Sequence, residues 1–361
     1  MTSVSGYLEV MDRGFGFLRD ITANFQSRAE DPFVPAGLIR AKGLKEGDFV
    51  AGGGVTNKGA NRHQNAKLTA IDTVNGVPAA DYVRPQALQD QVSIDPNERL
   101  SVTVGPEDIM GRSLDLLVPI GLGQRGLVVS PPKSGKTTIL KHYAAAIAAN
   151  HPRTPVFVLL VDERPEEVTD FRRSLPEACV LSSSSDQSLS QHLRMTRMAI
   201  NVAVRTAEEG RDVVMLIDSL TRMARAFNTE TNSRGRTLTG GLGANAMEMP
   251  RRIFGAARNV EHGGSLTIIA TILVDTGSRM DDIIFQEFKG TGNMDLVLSR
   301  KCAEQRLWPA INIHQSGTRK EHLLFDDAGY RQSVDIRRRL SPHDETAALA
   351  ELLHLFETGA L

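Results

Sequence analysis

Residues 126–141 read GLVVSPPKSGKTTILK, and this stretch decides the fold. The apolar run at 127–129 predicts a short buried strand, the double proline ends it, and a helical pattern follows. A strand, a loop and a helix that starts with Gly-Lys-Thr indicate a phosphate-binding loop, because the first N–H groups of the helix point at the anion. The sequence therefore predicts an α/β nucleotide-binding domain.

Three residues of the loop have expected roles in binding a nucleoside triphosphate. Gly135 lets the backbone approach the phosphate oxygens, Lys136 reaches the β- and γ-phosphates, and the hydroxyl of Thr137 is placed to bind Mg²⁺. Ser130 stands where the usual Gly-x4-Gly-Lys-[Ser/Thr] pattern begins with glycine. Lys133 is either a second phosphate contact or a solvated loop lysine, and the spacing leaves both readings open.

Composition indicates an ordinary globular protein of two or three domains, with 361 residues, 41% hydrophobic and 24% charged. The net charge of −1 neither indicates nor excludes a nucleic-acid partner. The two cysteines, Cys179 and Cys302, lack metal-type spacing, so a reducing cytoplasm is the expected location. No signal peptide is expected at the N-terminus, and no apolar run approaches the roughly 20 residues that span a bilayer.

Residues 1–80 contain short alternating patches separated by Gly and Asn turns, which predicts a small β-barrel. Phe15 and Phe17 lie two residues apart on one strand, so they point to the same face. Glycines beside them and the neighbouring Arg19 favour stacking with single-stranded nucleic acid, and burial in the barrel core is the alternative. The nine Lys/Arg and eight Asp/Glu of residues 1–80 do not form a basic patch.

Residues 81–120 contain several prolines, which disfavour a long helix, and this segment is interpreted as a connector. The segment 121–126, GLGQRG, leads from it into the strand of the phosphate-binding loop. Its glycines indicate either a turn close to the nucleotide or a plain hairpin, and the spacing does not decide between them.

Two further buried strands end in carboxylates. The run 156–162 is apolar on both faces and is followed by Glu163, expected one strand from the phosphate-binding loop, where it can polarise the water that attacks the γ-phosphate. Arg164 beside it is either structural or a nucleotide sensor. The run 213–217 ends at Asp218, which in this context is expected to hold the hydration shell of Mg²⁺.

Residues 228–243 are polar, Gly-rich and without periodicity, and they lie in a basic stretch. Residues 221–259 carry seven arginines against two glutamates. This stretch is either a flexible surface loop or a loop that grips a phosphate backbone in a central channel, and 275–280 (DTGSRM) has the same character. Trp308, the only tryptophan, is either core or a stacking face for a base. Arg319 is a solvated arginine unless subunits form a ring, where it becomes a candidate arginine finger.

The chain resembles the family of bacterial transcription termination factor Rho, RecA-type hexameric RNA–DNA helicases. The motifs that carry the resemblance run from about Gly6 to the C-terminus: GYLEVMDRGFGFLRD, PPKSGKTT, LLVDERPEEVTDFRR, LIDSLTRMARAFNT, GRTLTGG, FGAARNVEHGGSLTIIAT, DTGSRMDD, EFKGTGNMDL and SGTRKE. The resemblance implies a RecA-like P-loop ATPase domain with an N-terminal OB/cold-shock-like barrel. It divides the chain into an RNA-binding domain (1–80), a connector (81–120) and an ATPase domain (121–361).

The resemblance also implies site residues. The implied catalytic residues are Glu163, Lys136 and Arg319, the last supplied by a neighbouring subunit. The implied Mg²⁺ ligands are Thr137 and Asp218. Implied ATP contacts are Gly121, Gln124, Arg125, Gly126, Lys133, Ser134, Gly135, Lys136, Thr137, Thr138, Arg164, Asp218 and Trp308. Implied RNA contacts on the barrel are Gly14, Phe15, Gly16, Phe17, Leu18, Arg19, Asp31, Pro32 and Phe33, with Arg62, His63 and Gln64 on a third strand. Arg236 and Arg279 correspond to the two central-channel loops.

Two departures from the family pattern affect RNA binding. The helical subdomain that usually precedes the barrel is expected to be missing, and the third strand lacks its expected aromatic residue. Phe33 stands where tyrosine is common.

The implied function is that of an RNA-dependent ATPase and 5'-to-3' RNA/DNA helicase that binds nascent single-stranded RNA and terminates transcription. It uses ATP and Mg²⁺, forms a homohexameric ring, and meets RNA polymerase and elongation factors, with no membrane partner. A regulatory paralogue that binds RNA and nucleotide without translocating is one alternative, although the complete set of Lys136, Glu163, Asp218 and Arg319 argues against it. A rotary-type ATPase subunit of the same fold is another, but it would need neither Phe15 and Phe17 nor the loop at Arg236.

Overall fold

A computed structural model of the chain describes residues 2–56, 65–232, 243 and 245–361. Among these residues, no helix is both long and apolar enough to cross a membrane. The N-terminal elements are β1 (Thr2–Val10), β2 (Gly16–Arg19), β3 (Phe33–Val34), α1 (Ala36–Ala41), β4 (Phe49–Val55), β5 (Lys67–Val74) and β6 (Val77–Pro78). These strands pair in the order β3-β2-β1-β4-β5-β6, and a further pairing of β3 with β5 closes the sheet into a barrel.

The barrel core forms because alternate residues of the strands point inward. Leu8, Leu18, Val34, Val50 and Leu68 are all fully buried there. Phe15, Phe17 and Phe33 are not part of this core. The barrel predicted from the short alternating patches is therefore present, and its aromatic residues lie on the face away from its interior.

The connector holds β7 (Ser93–Ile94), β8 (Arg99–Leu100), α2 (Ile109–Leu117) and β9 (Ile120–Gly121). Helix α2 begins where the side chain of Asp108 accepts a hydrogen bond from the backbone N–H of Gly111. Its residues Leu114 and Leu117 are buried in the core of the following domain. The C-terminal part of the connector thus packs as part of the nucleotide-binding domain.

The nucleotide-binding domain is built on a sheet whose strands are largely parallel. Its strands are β10 (Arg125–Ser130), β11 (Val156–Glu163), β12 (Cys179–Ser184), β13 (Asp212–Asp218), β14 (Arg258–Val260), β15 (Ser265–Leu273), β16 (Met294–Val297) and β17 (Gly317–Thr318). The helices are α3 (Lys136–Asn150), α4 (Pro165–Ser174), α5 (Leu189–Glu208), α6 (Leu220–Asn232), α7 (Glu248–Gly255), α8 (Arg279–Phe288), α9 (Arg300–Glu304), α10 (Asp327–Leu340) and α11 (Glu345–Glu357).

The sheet has the order β12-β11-β13-β15-β10-β16-β17, with β14 on β15 and β7 on β14. Helices α3, α4, α10 and α11 bury their apolar sides on one face, and α5, α6, α7 and α8 on the other. Two strands, β13 and β15, separate β11 from β10. The expectation that Glu163 lies one strand from the phosphate-binding loop is therefore wrong, because the chain crosses to the far part of the sheet before it returns through β13 and β15.

The barrel docks on α5 and on the edge strand β12. The ring of Phe25, which follows β2, is fully buried and belongs to the same hydrophobic cluster as the residues beneath α5. The side-chain oxygen of Asn24 accepts a hydrogen bond of 3.0 Å from the backbone N–H of Ser182. Because this bond satisfies a donor of the outer strand, the barrel covers part of the open edge of the sheet.

Candidate functional site: nucleotide centre and nucleic-acid face

The loop between β10 and α3 has the conformation that its glycine permits. Gly135 has a φ of +94°, a backbone conformation that residues with a side chain rarely adopt. A Cβ placed on Gly135 would lie 2.9 Å from Cζ3 of Trp308. Trp308 is 41% exposed, so it is not a core residue and stands directly over the loop. This position leaves an indole face beside the start of α3, where a purine can stack.

Ser130 and Ser134 stabilise the loop from within. Their hydroxyl oxygens are 2.9 Å apart, and the Ser134 hydroxyl donates to the carbonyl of Pro131 at 2.7 Å. Both serines are buried. The serine that replaces the usual glycine therefore takes part in the internal hydrogen bonding of the loop, whereas Lys133 is exposed and has a φ of +64°.

The amino group of Lys136 joins the ends of two strands. Its Nζ donates to Oδ2 of Asp218 at 2.6 Å and lies 3.7 Å from Oε1 of Glu163. Asp218 ends β13, Glu163 ends β11, and the hydroxyl of Thr271 on β15 donates to Oδ1 of Asp218 at 2.8 Å. Burial disfavours the ammonium, but the charges of Asp218 and Glu163 outweigh it and raise the pKa of Lys136. Lys136 is therefore a fixed cation beside two buried carboxylates.

Glu163 is fully buried, and neither of its carboxylate oxygens accepts a hydrogen bond within the described residues. Burial raises its pKa to about 7, and the negative charge of Asp218 adds to this effect, while Lys136 and Arg222 oppose it. Nε of Arg222 lies 3.2 Å from Oε1 of Glu163. A carboxylate with a pKa near neutrality and unused acceptor atoms is suited to take a proton from a water molecule.

The donor set fits a Mg²⁺ that is also bound by phosphate. Thr137 in the first turn of α3 and Asp218 at the end of β13 supply hydroxyl and carboxylate oxygens, which Mg²⁺ prefers. Within the described ranges, no group of three or more His, Cys, Asp and Glu side chains could hold a metal ion by itself. The nucleotide would complete the coordination. Arg164 and Thr138 are exposed beside this centre, at the starts of α4 and α3.

Other predicted nucleotide contacts lie at the opposite end of β10. Gly121, Gln124, Arg125 and Gly126 precede or begin this strand. Four steps along the strand, roughly 13 Å, lead from Gly126 to Ser130. The structure therefore does not bring them to the phosphate-binding loop of the same chain.

Arg319 lies at the same far end of the sheet, directly after β17. Its backbone N–H donates to the carbonyl of Asn293, whose side-chain oxygen accepts from the N–H of Arg125 at 2.8 Å. Burial lowers the pKa of Arg125, and the nearby Arg258 and Arg319 lower it further. Arg319 is exposed, and no carboxylate of the described chain lies within 4.0 Å of it. This end of the sheet is thus a cluster of cations beyond the reach of the nucleotide centre of its own chain.

The aromatic residues of the barrel form an outward platform. Phe17 on β2 is paired across the sheet with Phe33 on β3. The ring centroids of Phe15, Phe17 and Phe33 are 5.5–5.9 Å apart, and all three rings are half-buried. Gly14 has a φ of +81° in the turn that precedes the platform, and Pro32 is half-buried beside Phe33. The platform offers several ring faces to a flat ligand.

Four residues predicted to contact RNA on or near this strand pair are buried. Leu18 is in the barrel core, and Gly16 is buried against β1. Arg19 is 2% exposed, with Nε donating to Oε2 of Glu9 at 2.6 Å and NH1 paired with buried Asp31. The expected RNA contacts of Arg19 and Asp31 are therefore replaced by a buried ion pair. Alternation puts Arg19 on the same face as Phe17, but Glu9 and Asp31 enclose its guanidinium there. Cζ of Arg19 lies 4.8 Å from the ring centroid of Phe17, so the guanidinium packs against the platform.

Of the two loops predicted to line a central channel, at Arg236 and Arg279, the structure describes the one at Arg279. Arg279 is exposed at the start of α8, on the loop that follows β15. Parallel β10 and β15 end side by side, Ser130 opposite Leu273, so this loop and the phosphate-binding loop share one edge of the sheet. Arg62, His63, Gln64 and Arg236 lie outside the described residues.

Three arginines of the predicted basic stretch are already paired with carboxylates: Arg222 with Glu163, Arg225 with Asp281 and Arg251 with Glu287. The net positive charge counted along residues 221–259 therefore overstates the charge available to a phosphate backbone. Arg222 is a site residue that the sequence interpretation missed. Its position one helical turn after Asp218, at the carboxyl end of a central strand, was the available signal.

Two protein-family models match separate parts of this chain. Residues 4–80 match the family model of the Rho termination factor RNA-binding domain, and residues 111–318 match that of the ATP synthase alpha/beta family nucleotide-binding domain. Among solved structures, an ATPase from the type III secretion system of pathogenic bacteria has a TM-score of 0.61 and 24% identity, covering 69% of this chain and 70% of that chain. This similarity supports the RecA-like fold of the ATPase domain.

Curated relatives cover nearly the whole chain. Transcription termination factor Rho of Allochromatium vinosum is 46% identical over 358 residues, covering 97% of this chain and 83% of that protein. Transcription termination factor Rho of Pseudomonas aeruginosa is 44% identical over 360 residues, covering 97% of this chain and 84% of that protein. The identity and the shared length show that this chain belongs to the transcription termination factor Rho family.

Proposed function

We propose that this chain is an RNA-dependent ATPase and 5'-to-3' RNA/DNA helicase that binds nascent single-stranded RNA, translocates along it and terminates transcription. The observation that carries the proposal is the presence, in one chain, of the Lys136–Glu163–Asp218 centre and an outward platform of three phenylalanines. One unit has the groups that hydrolysis requires, and the other has the ring faces that stack on unpaired bases.

In this proposal Glu163 orients the attacking water and accepts its proton. Lys136 stabilises the charge on the γ-phosphate, and Trp308 stacks on adenine above Gly135. Thr137 and Asp218 would hold Mg²⁺, which when bound would neutralise phosphate charge. Thr138, Lys133, Ser134 and Arg164 complete the contacts at this edge of the sheet.

The remaining nucleotide residues are proposed to act across a subunit boundary. Arg319, with Arg125 and the 121–126 turn, lies at the far end of β10 from Lys136. A second copy of the chain must therefore bring this cluster to the γ-phosphate, which a closed homohexameric ring does at every interface. An arginine supplied in this way is worth about 10³–10⁵ in rate in systems of this kind.

RNA is proposed to bind first on the platform of Phe15, Phe17 and Phe33. The proposed functional units are the barrel (1–80), the connector (81–120) and the ATPase domain (121–361). Arg279 and Arg236 would hold the strand in the ring centre. The proposal places the protein in the cytoplasm, where it acts on RNA polymerase with transcription elongation factors.

Strand displacement tests the proposal. The substrate is an RNA–DNA duplex whose RNA carries a long single-stranded 5' tail rich in pyrimidines, and the matched control carries the tail at the 3' end. We expect release of the DNA only with the 5' tail, ATP and Mg²⁺. Glu163→Gln should abolish release, whereas Glu166→Gln, an exposed residue three positions along, should leave it unchanged. Release from both substrates, or with Glu163→Gln, would refute the assignment.

A further inference from the structure

A cavity of about 470 Å³ lies where the barrel, the connector and two helices of the ATPase domain meet. Lys45 and Glu46 line it from the barrel, residues 87–89 from the connector, and Arg197 and Arg252 from α5 and α7. Its volume is within the range of small-ligand sites, about 300–1,000 Å³. None of the residues assigned above to ATP or to the aromatic platform lines it.

One wall of the cavity is apolar. Leu88, Ile200 and Ile253 are buried side chains that line it, and Val204 and Met249 extend the same wall. Ile200 and Val204 are four residues apart, as are Met249 and Ile253, so each pair lies on one face of its helix. This wall has the chemistry that accepts the flat face of a base.

The rim of the cavity is cationic. Lys45, Arg197, Arg205, Arg252 and Arg258 line the cavity, against the two acids Glu46 and Glu208. Glu208 is already neutralised, because NH1 of Arg205 lies 2.5 Å and NH2 of Arg84 3.3 Å from its Oε2. Burial raises the pKa of Glu46, and its carboxylate already accepts hydrogen bonds from Asn201 and from the backbone of Val10.

Three of these cations make no close ion pair with the described residues, although the charge of Arg197 acts on Glu46. In the part of the chain that the structure describes, no Asp or Glu oxygen lies within 4.0 Å of Lys45, Arg197 or Arg252, whereas Arg258 donates to backbone carbonyls. All three side chains are exposed, and an anion at the opening would reduce the repulsion among them. The arginine fork matches the geometry of phosphate, which makes a phosphate group the anion that suits this rim.

We propose that this cavity binds a phosphorylated nucleotide, with its base on the apolar wall and its phosphate at the rim of Lys45, Arg197 and Arg252. The ligand is either a free nucleotide or one residue of a single-stranded RNA. In both cases the site is separate from the phosphate-binding loop and from the phenylalanine platform. Because the barrel, connector and ATPase domain all contribute to it, occupancy would hold the three segments in one arrangement.

Photocrosslinking with peptide mapping tests the proposal on the full-length protein. The free-nucleotide probe is 8-azido-ADP, and the RNA probe is a pyrimidine-rich oligonucleotide that carries 4-thiouridine. We expect crosslinks to peptides of α5 and α7 from at least one probe, and the probe that labels them identifies the source of the nucleotide. The double substitution Arg197→Ala/Arg252→Ala should lower this labelling by at least about tenfold, since it removes two charge-assisted contacts.

The controls separate this site from the other two. Arg331→Ala/Arg338→Ala removes the same charge from exposed positions on α10 and should leave the labelling of α5 and α7 unchanged. Labelling near Trp308 and on β2 reports the nucleotide centre and the platform, and should persist in both double variants. The proposal is overturned if neither probe labels α5 or α7 although the Trp308 segment and β2 are labelled. It is also overturned if Arg197→Ala/Arg252→Ala leaves the labelling of α5 and α7 intact.

Discussion

Nζ of Lys136 lies 2.6 Å from Oδ2 of Asp218, although the two residues are 82 positions apart in the sequence. The contact joins the start of α3 to the end of β13 across β15, whose Thr271 holds the other oxygen of Asp218. Glu163 at the end of β11 completes the centre. Strands β11 and β13 thus place two carboxylates, and the start of α3 places one cation, at the same edge of the sheet, which is the geometric basis of the proposed hydrolysis.

The pH dependence of hydrolysis follows from the pKa of Glu163. Because the pKa is raised to about 7, the carboxyl group is largely protonated below this pH and cannot accept a proton from water. We expect kcat/KM for ATP to rise as the pH increases through about 7 and then to level off. Arg222→Gln removes a cation that favours the carboxylate, so it should move the rise to higher pH, whereas Arg173→Gln on the exposed side of α4 should not. A profile that is flat from pH 6 to 8 in the wild-type protein would contradict this assignment.

Substitutions at two adjacent residues of β2 should have different effects, one on RNA binding and the other on the free energy of unfolding. Phe17→Ala removes a ring from the platform and should weaken binding of a short pyrimidine-rich RNA roughly 5- to 100-fold, at an almost unchanged free energy of unfolding. Leu18→Ala leaves a cavity in the barrel core and should cost about 2–5 kcal/mol of that free energy. Fluorescence anisotropy and urea denaturation measure the two effects, and equal loss of RNA affinity in both variants would count against the platform.

Arg19 should behave as a structural residue. Arg19→Met leaves buried Asp31 without its cation and Glu9 with Arg194 alone, so we expect a loss of roughly 3–5 kcal/mol in the free energy of unfolding. Arg13→Met, on the exposed turn before β2, should leave stability unchanged. If Arg19 contacted phosphate directly, Arg19→Met would instead lower the salt dependence of RNA binding in a protein of normal stability.

Arg319 should act on the nucleotide of a neighbouring subunit. Lys136→Ala and Arg319→Ala should each abolish RNA-stimulated hydrolysis when assayed alone. Mixing the two variants under conditions of subunit exchange should restore part of the activity, because some interfaces then combine an intact Lys136 with an intact Arg319. Mixed rings that stay inactive although the subunits exchange would show that both residues serve the same chain's site.

The positions of five candidate residues follow from local sequence pattern. Gly135, Lys136 and Thr137 follow from a strand–loop–helix signal, and Glu163 and Asp218 from apolar runs that end in an acid. The pairing of Arg222 with Glu163 could not be predicted from sequence, because it requires the order of strands β11 and β13. The same holds for Arg19, because its burial on the face of Phe17 depends on Glu9 and Asp31, which lie on other segments of the barrel.

The most direct test of the central claim is ATP hydrolysis by the purified wild-type protein, with and without pyrimidine-rich single-stranded RNA, at low and high salt. If the phenylalanine platform, the channel loops and the Lys136–Glu163–Asp218 centre form one machine, RNA should stimulate hydrolysis strongly, and the stimulation should fall as the salt concentration rises. Hydrolysis that is indifferent to RNA at both salt concentrations would contradict the claim, and the shared fold would then not extend to a shared activity.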